Sequence, residues 1–143
     1  MAKIISISNQ KGGVGKTTTA INLAASLGVL EKKILIIDAD PQGNSTTHLG
    51  FKKNEVHPSL YHALTGEHSL KQAILSFDES LDIVPAQPIM HFASIDNHLV
   101  IKSLIKSVQN QYDYIFFDCA PSMSLLSINC LVASDVLVTP IES

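Results

Sequence analysis

The stretch Gln10-Lys11-Gly12-Gly13-Val14-Gly15-Lys16-Thr17-Thr18 decides how the rest of this chain is read. It follows a short apolar run, Ile4-Ile5-Ser6-Ile7-Ser8, and leads into a helical pattern. Strand, glycine loop and helix, in that order, make a cradle for phosphate. Gly12, Gly13 and Gly15 let the backbone curl so that successive N–H groups point at one anion. The helix that follows adds its positive end, equivalent to roughly half an elementary charge. Lys16 is placed to reach the outer phosphates, and the Thr17 hydroxyl to ligate magnesium. The common form of such a loop has glycine where Gln10 stands, and Lys11 is a second lysine ahead of the glycine pair. That departure carries functional information of its own.

A chain of 143 residues, 45% of them hydrophobic, fits one globular domain with a substantial core, expected to span 1–143. Its formal net charge of −3 argues against a generally nucleic-acid-seeking surface. The 10 basic residues are all lysines, so the chain supplies no arginine finger. Cys119 and Cys130 belong to no ligand-like cluster and read as reduced and buried. The first residues do not form a signal peptide, and no apolar stretch approaches the roughly 20 residues that span a bilayer. A cytoplasmic location is expected, without a membrane.

Lys3–Ser8 reads as a buried strand. From Thr18 onward Ala20, Leu23, Ala24 and Leu27 share one helical face, with Ile21 beside it, in a helix expected to end near Gly28 or Leu30. Lys33-Ile34-Leu35-Ile36-Ile37-Asp38 is a continuous apolar run ending in an acid, as suits a strand covered on both faces. A polar loop follows through Asp38-Ala39-Asp40-Pro41-Gln42-Gly43-Asn44, broken by Pro41 and Gly43. Short helices are expected around Ser45–Leu49, Ser59–Leu64 and Leu70–Leu75, then a strand at Leu81–Pro85. Asp96 is a candidate cap for a helix with an apolar stripe of Ile101, Leu104, Ile105 and Val108. Tyr114-Ile115-Phe116-Phe117-Asp118 is another buried strand ending in an acid, followed by a helix from Ser124 to Val132 and a strand over Asp135–Thr139.

Strands alternating with helices imply right-handed crossovers, hence an α/β fold with a mostly parallel twisted sheet flanked by helices. Ligands bind such sheets outside the carboxyl ends of the strands, where the glycine loop, Asp38, Asp40 and Asp118 all fall. Asp118 is placed to hold magnesium, directly or through water, although an acid at a strand end also serves simply as a turn or cap residue. Asp38 continues its strand and suits the magnesium shell. Asp40, further into the loop, suits orientation of the water that attacks the outer phosphate. The six histidines all lie between His48 and His98. Their spacings match no helical or hairpin metal pair, so they read as solvent-facing or locally bonded.

Three stretches together resemble one family. Lys11-Gly12-Gly13-Val14-Gly15-Lys16-Thr17 resembles the deviant Walker A motif of the ParA/MinD ATPases. Ile36-Ile37-Asp38-Ala39-Asp40-Pro41-Gln42-Gly43-Asn44-Ser45 resembles the switch I region of the ParA/Soj partitioning branch. Tyr112 to Ser122 resembles its Walker B and switch II segment. The resemblance implies a Rossmann-like, three-layer P-loop NTPase that binds ATP or ADP with Mg2+ and hydrolyses ATP. Phosphate contacts are then implied for Lys11, Gly12, Gly13, Val14, Gly15, Lys16, Thr17 and Thr18. Metal contacts fall to Thr17, Asp38 and Asp118, and catalysis to Lys11, Lys16 and Asp40. It also implies an ATP-state homodimer in which Lys11 reaches the neighbour's phosphates, replacing an arginine finger. A ParB-type activator is implied too, and in the full-length family, which is nucleoid-associated, non-specific DNA binding. Family members usually continue for a comparable length beyond the Asp135–Thr139 strand, with the main adenine contacts and the DNA-binding basic residues. The chain therefore reads as truncated at its C-terminus, with weak DNA binding expected. Two alternatives stand beside it: a hydrolysis-incompetent truncated interaction module, and a MinD-like positioning ATPase. The Asp40-Pro41-Gln42-Gly43-Asn44 loop and the lack of a membrane-binding terminal helix favour ParA over the latter.

Overall fold

A computed structural model describes residues 1–8, 14–92, 95, 97–121 and 124–140, without the side chains of Val14, His91 and Phe92. Six strands form one sheet: β1 (Lys3–Ile7), β2 (Ile34–Ala39), β3 (Leu75–Ser76), β4 (Leu81–Val84), β5 (Tyr114–Cys119) and β6 (Val136–Val138). Their spatial order is β3-β4-β2-β5-β1-β6, parallel throughout except for the antiparallel β3–β4 pair at one edge. Five α-helices connect them: α1 (Val14–Val29), α2 (Asn44–His48), α3 (Leu60–Leu64), α4 (Val100–Ile105) and α5 (Leu125–Ala133).

The central strands show how sequence selects the layers. Every residue of β2 is buried, as its unbroken apolar run requires of a strand covered on both faces. Side chains alternate across the sheet, so Ile34 and Ile36 join Phe116 of β5 in a core under α1. Leu35, Ile37, Ile115 and Phe117 face the opposite core, which α3, α4 and α5 cover. That period of two also decides where the acids go. Asp38 and Asp118 follow the even-numbered positions onto the α1 side, and they are direct neighbours in the β2–β5 register.

The structure differs from expectation in three places. Helix α1 starts at Val14, one turn before Thr18, because the end of the glycine loop is already the helix's first turn. Within it Ala20 and Ala24 are buried and Ile21 and Leu27 pack partly against the sheet, but Leu23 is 37% exposed. No α-helix forms over Leu70–Leu75. Leu70 and Ala73, three apart, bury on one turn of 3-10 helix (Lys71–Ala73), and Leu75 is claimed by pairing with Ile83. Of the expected stripe, Ile101, Ile105 and Val108 are buried and Leu104 is half-buried against the same core, with Val108 beyond the end of α4. The expected cap Asp96 lies outside the described residues. Ser124 caps α5, its side chain accepting the Ser127 N–H at 3.1 Å. Both cysteines are free and buried. No helix among the described residues is long and apolar enough to cross a membrane.

Candidate active site

At the carboxyl ends of β2 and β5, two carboxylates, Asp40 and Asp118, meet one buried ammonium, with a third, Asp38, beside Asp118. Lys16, in the first turn of α1, is fully buried. Its Nζ donates to Asp40 Oδ2 at 3.0 Å and to the carbonyl oxygen of Cys119, and it lies 2.6 Å from Asp118 Oδ1. A lysine so enclosed would ordinarily lose its proton. Burial pulls its pKa down, but the facing Asp118 and Asp40 more than offset this, and the net shift is upward. The side chain therefore stays an ammonium, folded inward onto the acids.

Asp118 is the hub. Its Oδ2 accepts the hydroxyls of Thr17, at 3.1 Å, and of Ser45. Its Oδ1 is buried without a hydrogen-bond partner among the described residues and meets Lys16 only as an ion pair. Asp38, beside it in register, holds the loop after β2. Asp38 Oδ2 accepts the Thr46 N–H at 2.9 Å and the Thr46 hydroxyl at 2.7 Å, and Oδ1 accepts the Asp40 N–H at 3.3 Å. Thr46 Oγ1 in turn accepts the Ala86 N–H at 2.9 Å, tying the loop to the end of β4. Burial, and then the charge of Asp118, push the Asp38 carboxyl up to about 7, and the hydrogen bonds from Thr46 and Asp40 only partly offset them. Asp40 Oδ1 accepts the Gln42 N–H at 3.0 Å. Gly43 then turns the chain with φ of 67°, a left-handed conformation that glycine adopts without strain. A cleft of about 410 Å³, bordered by Asp40, Pro41, Gln42, Ala120 and Pro121, opens beside this loop.

Of the residues singled out from sequence, Lys16, Thr17, Asp38, Asp40 and Asp118 converge here. Gly15 is half-buried in the first turn of α1, and Thr18 is exposed on the same helix. Val14 opens α1. Lys11, Gly12 and Gly13 lie outside the described residues. Ser45, Thr46 and the Cys119 carbonyl were not singled out for the site. Ser45 and Thr46 sit at the start of a short helix, and only the return of that helix against β2 puts their hydroxyls on the acids. With three carboxylates against one ammonium, the cluster carries more negative than positive groups. Its oxygen donors and its unaligned Asp118 oxygen suit a hard divalent cation such as magnesium.

The chain is similar to known proteins over almost all of its length. A family model described as AAA domain (AAA_31) matches residues 2–143. The chain is 42% identical to the sporulation initiation inhibitor protein Soj of Bacillus subtilis, over 99% of this chain and 59% of Soj. It is 39% identical to the chromosome partitioning protein ParA of Myxococcus xanthus, over 99% of this chain and 53% of that protein. Its structure matches, with a TM-score of 0.93 and 28% identity, a cobyrinic acid a,c-diamide synthase from Mycobacterium smegmatis crystallised with an ATP analogue and magnesium. That match covers 99% of this chain and 60% of that one. The chain thus spans between half and two thirds of the length of these relatives.

Proposed function

Because the chain belongs to the AAA domain family, and its Soj and ParA relatives match it from end to end, we propose that it is the nucleotide-binding part of a ParA-type partitioning ATPase. Residues 1–143 act in this reading as one P-loop domain that takes ATP or ADP with Mg2+. The observation that carries it is the meeting of Lys16, Asp40 and Asp118 at the mouth of the parallel sheet, with Thr17 on Asp118.

The roles follow from what each group can do. Backbone N–H groups from Lys11 through Thr18 and the positive end of α1 receive phosphate oxygens. Lys16 exchanges its carboxylate partners for phosphate, an anion of higher charge, and Asp40 is then released from its ion pair. A freed Asp40 carboxylate can accept a hydrogen bond from water and orient it. Thr17, Asp118 and Asp38 are the groups that would hold magnesium, which neutralises charge on the phosphate oxygens when bound. Lys11 is assigned to a second subunit's phosphates in an ATP-state homodimer. A ParB-type activator and non-specific DNA are the partners of this reading, in a cytoplasmic setting.

ATP binding and hydrolysis by the purified chain, with and without Mg2+, test it. Wild type should bind and turn over ATP only with Mg2+. Lys16→Ala should abolish binding, while Asp40→Ala should bind ATP and fail to hydrolyse it. Binding by wild type with normal affinity but no hydrolysis under any condition would reduce this chain to an interaction module.

A further inference from the structure

The loops on either side of α3 bring three imidazoles and a carboxylate together on the sheet face opposite Lys16. His57 precedes α3, His62 lies within it, and Glu67 and His68 follow it. The His57 ring lies 4.2 Å from that of His62 and 5.3 Å from that of His68, centroid to centroid. One donor atom from each of His57, Glu67 and His68 lies within 4.8 Å of the others. Sequence spacing hid this, because Gly66 turns the chain back on itself with φ of 82°. The return is held by the backbone: the His68 N–H and the Thr65 hydroxyl both donate to the His62 carbonyl at 3.1 Å.

His62 has a different part from its neighbours. The Ser59 N–H donates to His62 Nδ1 at 2.9 Å, so the neutral ring carries its proton on Nε2. That Nε2 faces Glu67 Oε2 at 3.9 Å. His62 is therefore not free to coordinate through Nε2. It lies beyond hydrogen-bond distance of the carboxylate, next to it, where an outer partner of a metal-bound Glu67 would sit. His57 and Glu67 are exposed and His68 is half-buried, so their donors are open to solvent and free to rotate.

We propose that His57, Glu67 and His68 form a binding site for a divalent transition-metal ion, best suited to zinc, with water completing the coordination. Two imidazoles and one carboxylate are a zinc donor set, whereas magnesium and calcium take oxygen alone. Tetrahedral coordination at about 2.0 Å sets donors about 3.3 Å apart. Binding would require the donors, now within 4.8 Å of one another, to close to that spacing by side-chain rotation. The ion would join the segment before α3 to the turn after it.

Zinc titration of the metal-free full chain, against a chromophoric chelator, tests the site. Wild type should bind one equivalent of Zn2+, and His57→Ala and His68→Ala should each weaken it at least tenfold. Glu67→Gln should weaken it several-fold, and His48→Ala, outside the cluster, should leave it unchanged. Zinc should also raise the melting temperature of wild type but not of His57→Ala/His68→Ala. His57→Gln serves in the same titration if the double variant does not fold. Equal Zn2+ affinity in wild type and in these variants would overturn the proposal, as would zinc retained by them and lost in Asp38→Asn.

Discussion

The Lys16 ammonium answers to two demands that compete. In the structure it neutralises Asp40 and Asp118 in a fully buried cluster, whereas phosphate binding requires it to face the glycine loop. Removing one partner of a buried pair leaves uncompensated charge, at a cost of about 3–5 kcal/mol. Lys16→Ala should therefore lower the unfolding free energy of the nucleotide-free chain by that order in urea denaturation, besides losing ATP; an unchanged stability would refute the inward pairing. Asp38 makes a second prediction at this scale. Its folded pKa of about 7 lies above the value near 3.9 of an unfolded aspartate, so the folded state holds the proton more tightly. Its contribution to stability is full below about pH 4 and is lost as pH rises to about 7, by up to about 4 kcal/mol. Denaturation of the nucleotide-free chain from pH 4 to 8 should show that decline, and Asp38→Asn should flatten it. Asp38 and Asp118 were legible because each ends an apolar run, and Asp40 because it lies in the polar loop two residues on. Their mutual contacts were not, since 80 residues separate Asp38 from Asp118 and only strand register makes them neighbours.

At the scale of elements, α4 and α5 are joined through one buried polar side chain. Asn129 Oδ1 accepts the Ile101 N–H at 3.1 Å, and its Nδ2 donates to the carbonyls of Asn97 and Leu125, both at 3.0 Å. The Ile101 N–H belongs to the first turn of α4, where no carbonyl of the helix itself serves it. Asn129→Leu keeps the volume but strands that donor, so urea denaturation should show a loss of about 1–3 kcal/mol. A neutral result would mean that water reaches the α4 N-terminus. The apolar stripe of Ile101, Leu104, Ile105 and Val108 predicted α4, and the turn signal at Pro121-Ser122 the start of α5. Neither could predict the Asn129 bridge, since an asparagine inside a helical run reads as a surface residue. The same holds for His57 and His68, which look isolated until the turn at Gly66 returns one to the other.

The sheet's edge is the feature that belongs to the whole molecule. Among the described residues β6 pairs on one side only, with β1, and leaves Leu137 54% exposed and Val136 37% exposed. An open apolar strand edge invites pairing with further chain or with another copy. The face-to-face dimer of the proposed function is a separate matter, resting on Lys11. Crosslinking with ATP and Mg2+ should give a dimer in wild type and none in Lys11→Ala, while Leu137→Lys should leave that dimer intact. A dimer that survives in Lys11→Ala would refute the cross-subunit role of that lysine.

Five of the six strands, the mostly parallel sheet and the expectation of a phosphate ligand were legible in the sequence alone, because each rests on local physics; the short antiparallel strand β3 was not. Apolar runs need cover, glycines permit the anion-binding curl, and acids at strand ends must meet water or a cation. The three-dimensional path of the chain was needed to bring Lys16 onto Asp40 and Asp118, Ser45 and Thr46 onto the acids, and three histidines to one corner. Those contacts join residues distant along the chain or turned back by one left-handed glycine. Their geometry follows from register and loop path, which periodicity does not encode.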